Sequence, residues 1–256
     1  MKNLLFILCS LYVVICSCKK SSVDYSGTSL KGKILIVDEN NDYIKDYSGV
    51  IITGENSDIS NIPVDGKGEF YFPALINNST YLTLKISKPG YGTVTQHYTA
   101  AQLDSFRNQG STINNLTLLP QSSVTVNSLS GVLDGDKFKM VFNVTLAQVK
   151  PTNGVTFFLS KNNSQVSYDN FTGNNDNSRT WTVPVTSGDN LNSFCFKRTI
   201  ECDCDFLSSG DTVFLKAYGD TYSSFGNSYS DSRTGQLIFP SINANASPST
   251  ISFVVP

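Results

Sequence analysis

This chain lacks an excess of either charge. Its 19 Lys and Arg residues nearly cancel 21 Asp and Glu residues, for a net charge of −2. So even a balance gives no basic footprint for nucleic acid. Histidine is nearly absent as well: His97 is the single copy, and no Gly-x-Ser-x-Gly elbow occurs, which argues against a Ser-His triad. The acidic residues are scattered, with no pair that stands out for glycosidase chemistry. Beyond the first 15 residues no apolar run is long enough to cross a bilayer as a helix. Helical periodicity over three turns is also wanting almost everywhere, which leaves strands and turns. These absences point away from an enzyme, from any cofactor and from nucleic acid. They leave a binding or structural role.

What is present begins with an address. Met1-Lys2-Asn3 precede an apolar run from Leu4 to Ile15, the layout of a secretory signal peptide. The run closes on Ile15-Cys16-Ser17-Cys18, with an aliphatic residue three places before a cysteine and a small one directly before it. This resembles a bacterial lipobox. The resemblance implies cleavage before Cys18, acylation of its thiol and new amino group, and attachment to a membrane by lipid. An ordinary signal peptide, cut between Ser17 and Ser22, is the competing reading. Lys19 to Ser29 is polar and reads as a tether of about eleven residues with a reach of roughly 17–20 Å. The expected location is the cell envelope, on the outer membrane, with its periplasmic and surface sides both open.

Six cysteines suggest a disulfide framework, but Cys9, Cys16 and Cys18 belong to the signal and lipidation segment. Cys195, Cys202 and Cys204 remain. Cys202 and Cys204 stand two apart, a spacing poorly suited to bonding each other on a strand, so Cys195 with one of them is the favoured pair. A metal site made of the three thiolates would lack a fourth ligand, and no metal is expected.

The first folded region spans about residues 30–120. Lys33 to Asp38 and Gly49 to Gly54 read as strands. Asp65-Gly66 supplies a tight turn that sets Phe70 and Phe72 on one face of the returning strand. Leu82, Leu84 and Ile86 alternate with Thr83, Lys85 and Ser87, the period of a half-buried strand. Thr99 to Gly110 reads as one short helix, with Thr99 as N-cap and Gly110 as its stop. Lys31-Gly-Lys-Ile, Gly49-Val-Ile-Ile-Thr-Gly54, Val64-Asp-Gly-Lys-Gly-Glu-Phe and the Leu-Thr-Leu-Lys-Ile strand before Pro89-Gly-Tyr91 together resemble the carboxypeptidase regulatory-like domain. That family implies a small prealbumin-type β-sandwich acting as a structural or docking module.

The second region spans 121–256. Alternation marks strands at Phe138 to Leu146, at Val155, Phe157 and Leu159, at Trp181, Val183 and Val185, at Phe194 and Phe196, and at Val213, Leu215 and Ala217. Gly, Asn and Asp turns between them indicate a second sandwich. Thr212 to Gly219, with Tyr229-Ser-Asp231 after it, resembles the penultimate strand and hairpin of fibronectin type III-like domains. An extra strand is expected near Ile251 to Val255. The whole reads as all-β: residues 1–17 a signal peptide, 18–29 a tether, then two tandem sandwiches with one short helix in the first.

Two loops set aromatics in polar surroundings: Tyr222 and Phe225 within Gly219 to Asn227, and Tyr168 and Phe171 within Asn162 to Ser178. Rigid aromatic area beside adaptable polar groups is a paratope-like composition, suited to a protein or glycan partner. The same rings would equally serve as plugs for the ends of the core. In a fibronectin-like domain these loops lie at opposite ends and form no common site. The Asn and Asp residues of Asn170 to Asn177 offer oxygen ligands for calcium, but their spacing matches no EF-hand loop and suits ordinary turns. His97, on a short polar strand, is expected to be solvated. The reading is a non-enzymatic envelope lipoprotein that presents a protein- or glycan-binding surface, or else a docking subunit of an outer-membrane complex or surface fibre.

Overall fold

The computed structural model describes residues 29–55, 60–73, 81–109, 112–134, 137–145, 150–161, 163–171, 178–185, 195–199, 207–224, 226–244 and 249–255. Strands dominate, with one helix among the described residues. The elements of the first sandwich are β1 (Ser29–Val37), β2 (Tyr43–Ile44), β3 (Ile51–Glu55), β4 (Glu69–Pro73), β5 (Tyr81–Ser87), β6 (Val94–Thr99), α1 (Ala100–Gln109) and β7 (Ile113–Leu118). One sheet runs β2-β1-β4 with β7 parallel to β1, and the facing sheet runs β3-β5-β6. Period-two alternation puts Ile34 and Ile36, Phe70 and Phe72, and Leu82, Leu84 and Ile86 in one buried cluster.

The local signals act where the side chains require. Thr99 Oγ1 accepts the Gln102 N–H at 3.2 Å, and the Gln102 side chain accepts the Thr99 N–H at 2.8 Å, so the start of α1 is capped reciprocally. At the Asp65 turn the carboxylate accepts the N–H groups of Lys67 and Glu69, both at 2.8 Å. The left-handed residue of this turn is Gly68, at φ 80°, rather than Gly66. A Cβ on Gly68 would also stand 2.5 Å from the carbonyl oxygen of Ile34, so close approach and backbone sign select glycine together.

The second sandwich comprises β8 (Thr125–Asp134), β9 (Lys137–Thr145), β10 (Asn153–Lys161), β11 (Ser178–Pro184), β12 (Cys195–Thr199), β13 (Thr212–Thr221), β14 (Tyr229–Ser230), β15 (Leu237–Ile238) and β16 (Ile251–Val254). Its sheets run β11-β10-β13-β16 and β12-β9-β8, and β14 and β15 form a separate hairpin. Val155, Phe157 and Leu159 meet Val213, Leu215 and Ala217 inside the sandwich. The extra strand, β16, pairs with β13. Eight successive residues of β10 are buried, because its outer face is covered too. Phe158 and Tyr218 point away from the sandwich interior into another cluster with Val166, Phe171, Phe239 and Ile242. Loops from both flanks of β13 thus lay an additional apolar layer over the sheet.

The segment joining the sandwiches is pinned. The N–H of Gln121 donates to the carbonyl of Gly90 at 2.9 Å, and that of Ser122 to the carbonyl of Ser241 at 2.9 Å. Thr221 Oγ1 donates to the carbonyl of Pro120 at 2.7 Å. A Cβ on Gly92 would lie 2.2 Å from the carbonyl oxygen of Pro240, backbone that cannot swing aside. Gly92→Ala is therefore expected to cost about 1–3 kcal/mol in urea unfolding. Gly66→Ala, at a position with open space around it, is the near-neutral control.

Candidate functional site

A groove of about 550 Å³ opens on the outer face of β13, within the size range of ligand pockets. Lys216 and Tyr218, alternate residues of the strand, form its floor, and Gln165, Tyr168, Asp169 and Asn170 form one wall. The Tyr168 and Tyr218 rings meet edge to face with centroids 5.2 Å apart, and Lys216 Nζ lies 5.4 Å from the centre of Tyr218. Burial, with the Asp169 charge nearby, pushes the Tyr168 phenol above its usual range and keeps it a hydrogen-bond donor.

The wall is held by its own polar groups. Asn170 Oδ1 accepts the Ser167 N–H at 2.9 Å, and Asn163 Oδ1 accepts the Gln165 N–H at 3.0 Å. Asn170 Nδ2 donates to the carbonyl of Gln165, and Gln236 Nε2 donates to the carbonyl of Asp169. Asn and Asp side chains close turns on their own backbone in this way, which builds a preformed wall without regular secondary structure. Preformation lowers the ordering cost of binding.

Of the four aromatics singled out from the sequence, the structure brings one to this groove. Tyr168 lines it. Phe171, three positions on from Tyr168, does not line the groove but packs on Phe158 at 5.3 Å as part of the core. Tyr222 is 42% exposed but lies elsewhere, against Gly154. Its loop faces the first sandwich: Ser223 Oγ donates to Asn41 Oδ1 at 2.8 Å, and Asn41 Nδ2 donates to Ser224 Oγ at 2.7 Å. Phe225 lies outside the described residues, as do Cys18, Cys202, Cys204 and most of Asn170 to Asn177. Cys195 begins β12, where its backbone register is opposite Asn143. Among the described residues no cluster of His, Cys, Asp or Glu could hold a metal, and no helix is long and apolar enough to span a membrane.

Lys216 and Tyr218 were not singled out, although a signal existed. Once Val213, Leu215 and Ala217 are assigned inward, Phe214, Lys216 and Tyr218 must face the other way, and two aromatics on an outer face imply a cover or a site.

His97 corrects the sequence reading. It is 7% exposed, not solvated. Its Nδ1 lies 2.7 Å from Thr83 Oγ1, and its Nε2 lies 3.0 Å from Asp231 Oδ2, across the contact between the sandwiches. Ser232 Oγ donates to the His97 carbonyl, and Arg233 lies over the Tyr81 ring. Burial opposes the Asp231 charge, but the N–H groups of Thr234 and Arg233, with His97 beside it, hold its carboxyl below the usual carboxylate range. The strand looked polar because its polar residues meet a partner 134 positions away.

A second cavity, of about 240 Å³, lies where the sandwiches meet, between Val94, Gln96 and Leu116 on one side and Asn227 to Tyr229 and Pro240 on the other. Tyr229 spans the contact, its hydroxyl accepting the Thr95 N–H at 2.8 Å.

No family model and no curated protein matches the chain. Solved structures that the chain matches include a "putative carbohydrate binding protein" from Bacteroides uniformis, at 11% identity and a TM-score of 0.32, covering 89% of this chain and 99% of that one. A DUF3823 family protein from Bacteroides ovatus gives 10% identity and a TM-score of 0.30 over 90% of this chain and 100% of its own. One from Parabacteroides merdae gives 9% and 0.23 over 88% and 98%.

Proposed function

We propose that this chain is a non-enzymatic binding protein of a bacterial cell envelope, held to the outer membrane by lipid on Cys18, whose ligand is a glycan bound in the groove against Tyr168 and Lys216, with the buried Tyr218 backing them. The groove carries the reading. Sugar rings offer apolar C–H faces edged by hydroxyls, and Tyr168 supplies apolar area with a polar tip, while Gln165, Asn170 and Lys216 supply donors and acceptors around it. The groove is open to solvent along one side, which suits a chain of sugars better than an enclosed small molecule.

A glycan array probed with the purified protein, followed by calorimetry on the best binder, tests this. Lys216→Met and Tyr168→Ala are each expected to weaken binding about tenfold, the loss of roughly 1.4 kcal/mol. Tyr222→Ala is expected to leave affinity unchanged, since that loop lies apart from the groove. An array at background, or equal affinity in all three variants, would remove the glycan reading. The anchor has its own test: protease shaving of intact cells beside a Cys18→Ala strain. Loss of the wild-type band places the protein on the surface, protection until the envelope is opened places it in the periplasm, and an unchanged membrane fraction for Cys18→Ala refutes the lipid.

A docking role has one observation in its favour. β16 stands at the end of its sheet, with Val254 61% exposed, and such an edge can accept a partner's strand. Stable co-purification with an envelope protein after mild detergent extraction, lost on a proline at position 254, would favour it.

A further inference from the structure

Beside the groove, the outer face of the second sandwich holds a buried polar cluster that ligand binding does not use. Thr156 and Thr182 are cross-strand partners on β10 and β11, Asp220 lies near the end of β13, and Asn227 comes from the loop before β14. Thr156 and Asp220 are both 0% exposed. Thr156 Oγ1 donates to Asp220 Oδ2 at 2.6 Å, and Asn227 Nδ2 donates to the same oxygen at 2.9 Å. That nitrogen lies 3.3 Å from Thr156 Oγ1 and 2.6 Å from Thr182 Oγ1, and the two threonine hydroxyls are 2.6 Å apart. Asp220 is itself oriented by the Thr221 N–H, which donates to Oδ1 at 2.7 Å.

One carboxylate oxygen therefore touches both a fully buried hydroxyl and the side-chain amide nitrogen of the half-buried Asn227. A nucleophile within hydrogen-bond reach of a base, with the base fixed by a third group, is the arrangement of an activated hydroxyl. Here the electrophile is part of the chain. We propose that Thr156 and Asn227 join in an intramolecular ester, formed by the protein on itself with Asp220 as the proton shuttle. Thr156 Oγ1 attacks Cγ of Asn227 as Asp220 Oδ2 takes the hydroxyl proton. The tetrahedral intermediate collapses with breakage of the Cγ–Nδ2 bond, Asp220 returns the proton to the departing nitrogen, and ammonia leaves. A hydroxyl and a primary amide become an ester and ammonia, with no oxidant or reductant and with Asp220 restored.

The surroundings suit one slow turnover. Thr182 accepts an Asn227 N–H and positions the amide. Asn227 also lines the cavity between the sandwiches, which gives ammonia a way out. Burial, opposed by the hydrogen bonds of Thr156, Thr221 and Asn227, pushes the Asp220 carboxyl up to about 6, so the shuttle is ionised at neutral pH yet more basic than an exposed aspartate. The bond would tie the loop that contacts the first sandwich to the sheet beneath it, across 71 positions of sequence.

Peptide mapping of the full-length protein by tandem mass spectrometry tests the proposal. The expected result is a peptide containing Thr156 joined to one containing Asn227, about 17 Da lighter than their sum, and separated by hydroxylamine. Thr156→Val and Asp220→Asn are expected to yield only unlinked peptides, with far-ultraviolet circular dichroism unchanged. Unlinked wild-type peptides at full mass would overturn the ester, as would a mass loss confined to Asn227 as a succinimide, or a link from Asn227 to Thr182. Because the wild-type map is decisive by itself, misfolding of a variant cannot rescue or sink the assignment.

Discussion

Truncating Phe158 to alanine should cost about 3–5 kcal/mol in urea unfolding, as large as the loss from a sandwich-interior phenylalanine. Phe158 lies outside the sandwich, on the face that an ordinary two-sheet fold leaves to solvent, yet it is 0% exposed. Its ring meets Phe239 at 4.9 Å, Phe171 at 5.3 Å and Tyr218 at 5.6 Å, all near perpendicular. Edge-to-face pairs of this kind add about 0.5–1.5 kcal/mol each beyond burial. Removing the ring opens a cavity under the wall of the groove. Amide exchange at Val166 to Phe171 should therefore accelerate, and affinity at the proposed glycan groove should fall even though Phe158 does not line it. A loss under about 1 kcal/mol would mean that the outer layer is a loose cover rather than a core.

Asp220 should make the protein less stable as pH rises from about 4 to about 6. Its carboxyl is pushed up to about 6 by burial, whereas an unfolded aspartate titrates near 4. Between those values the folded state binds more protons than the unfolded state, so stability falls with rising pH through the window, by about 3 kcal/mol in all. Above it the cost of burying the charge is fully present. Carboxylates held low, such as Asp65, Asp211 and Asp231, act with the opposite sign and lose their contribution on acidification below their own window. The pH dependence of the difference between wild type and Asp220→Asn isolates the one titration, because loss of the proposed Thr156–Asn227 bond would offset the curves by a constant. Urea titrations at pH 4, 5, 6 and 7 should show the two curves diverging through that range, with the variant free of the fall. Parallel curves would show that Asp220 is solvated.

The legible part of this chain was local. Phe70 with Phe72, and Leu82, Leu84 and Ile86, are buried where alternation sets them, because a strand's side chains must take opposite faces and one face must be covered. Thr99 caps its helix because the hydroxyl and Gln102 meet within one turn whatever lies around them. Such features depend on residues a few positions apart. The candidate site was legible only in part: Tyr168 stood out as an aromatic in a polar loop, but Phe171 in the same loop turned inward. Two residues separate them, and what separates their fates is Phe158, on another strand.

His97 and Asp220 mark the limit more sharply. Nothing near His97 in sequence announces a buried partner, and Asp231 reaches it only because the β14–β15 hairpin lies on the first sandwich. Thr156, Thr182, Asp220 and Asn227 come from four separate segments, each ordinary where it stands. Backbone periodicity and turn chemistry, acting over a few residues, determined that the described residues would be strands, with one capped helix and inward faces. Which outer face would be covered, which polar groups would be buried together and which loop would wall a groove depended on contacts scores of residues apart. Those contacts exist only once the sheets have stacked, and the tertiary structure decided them.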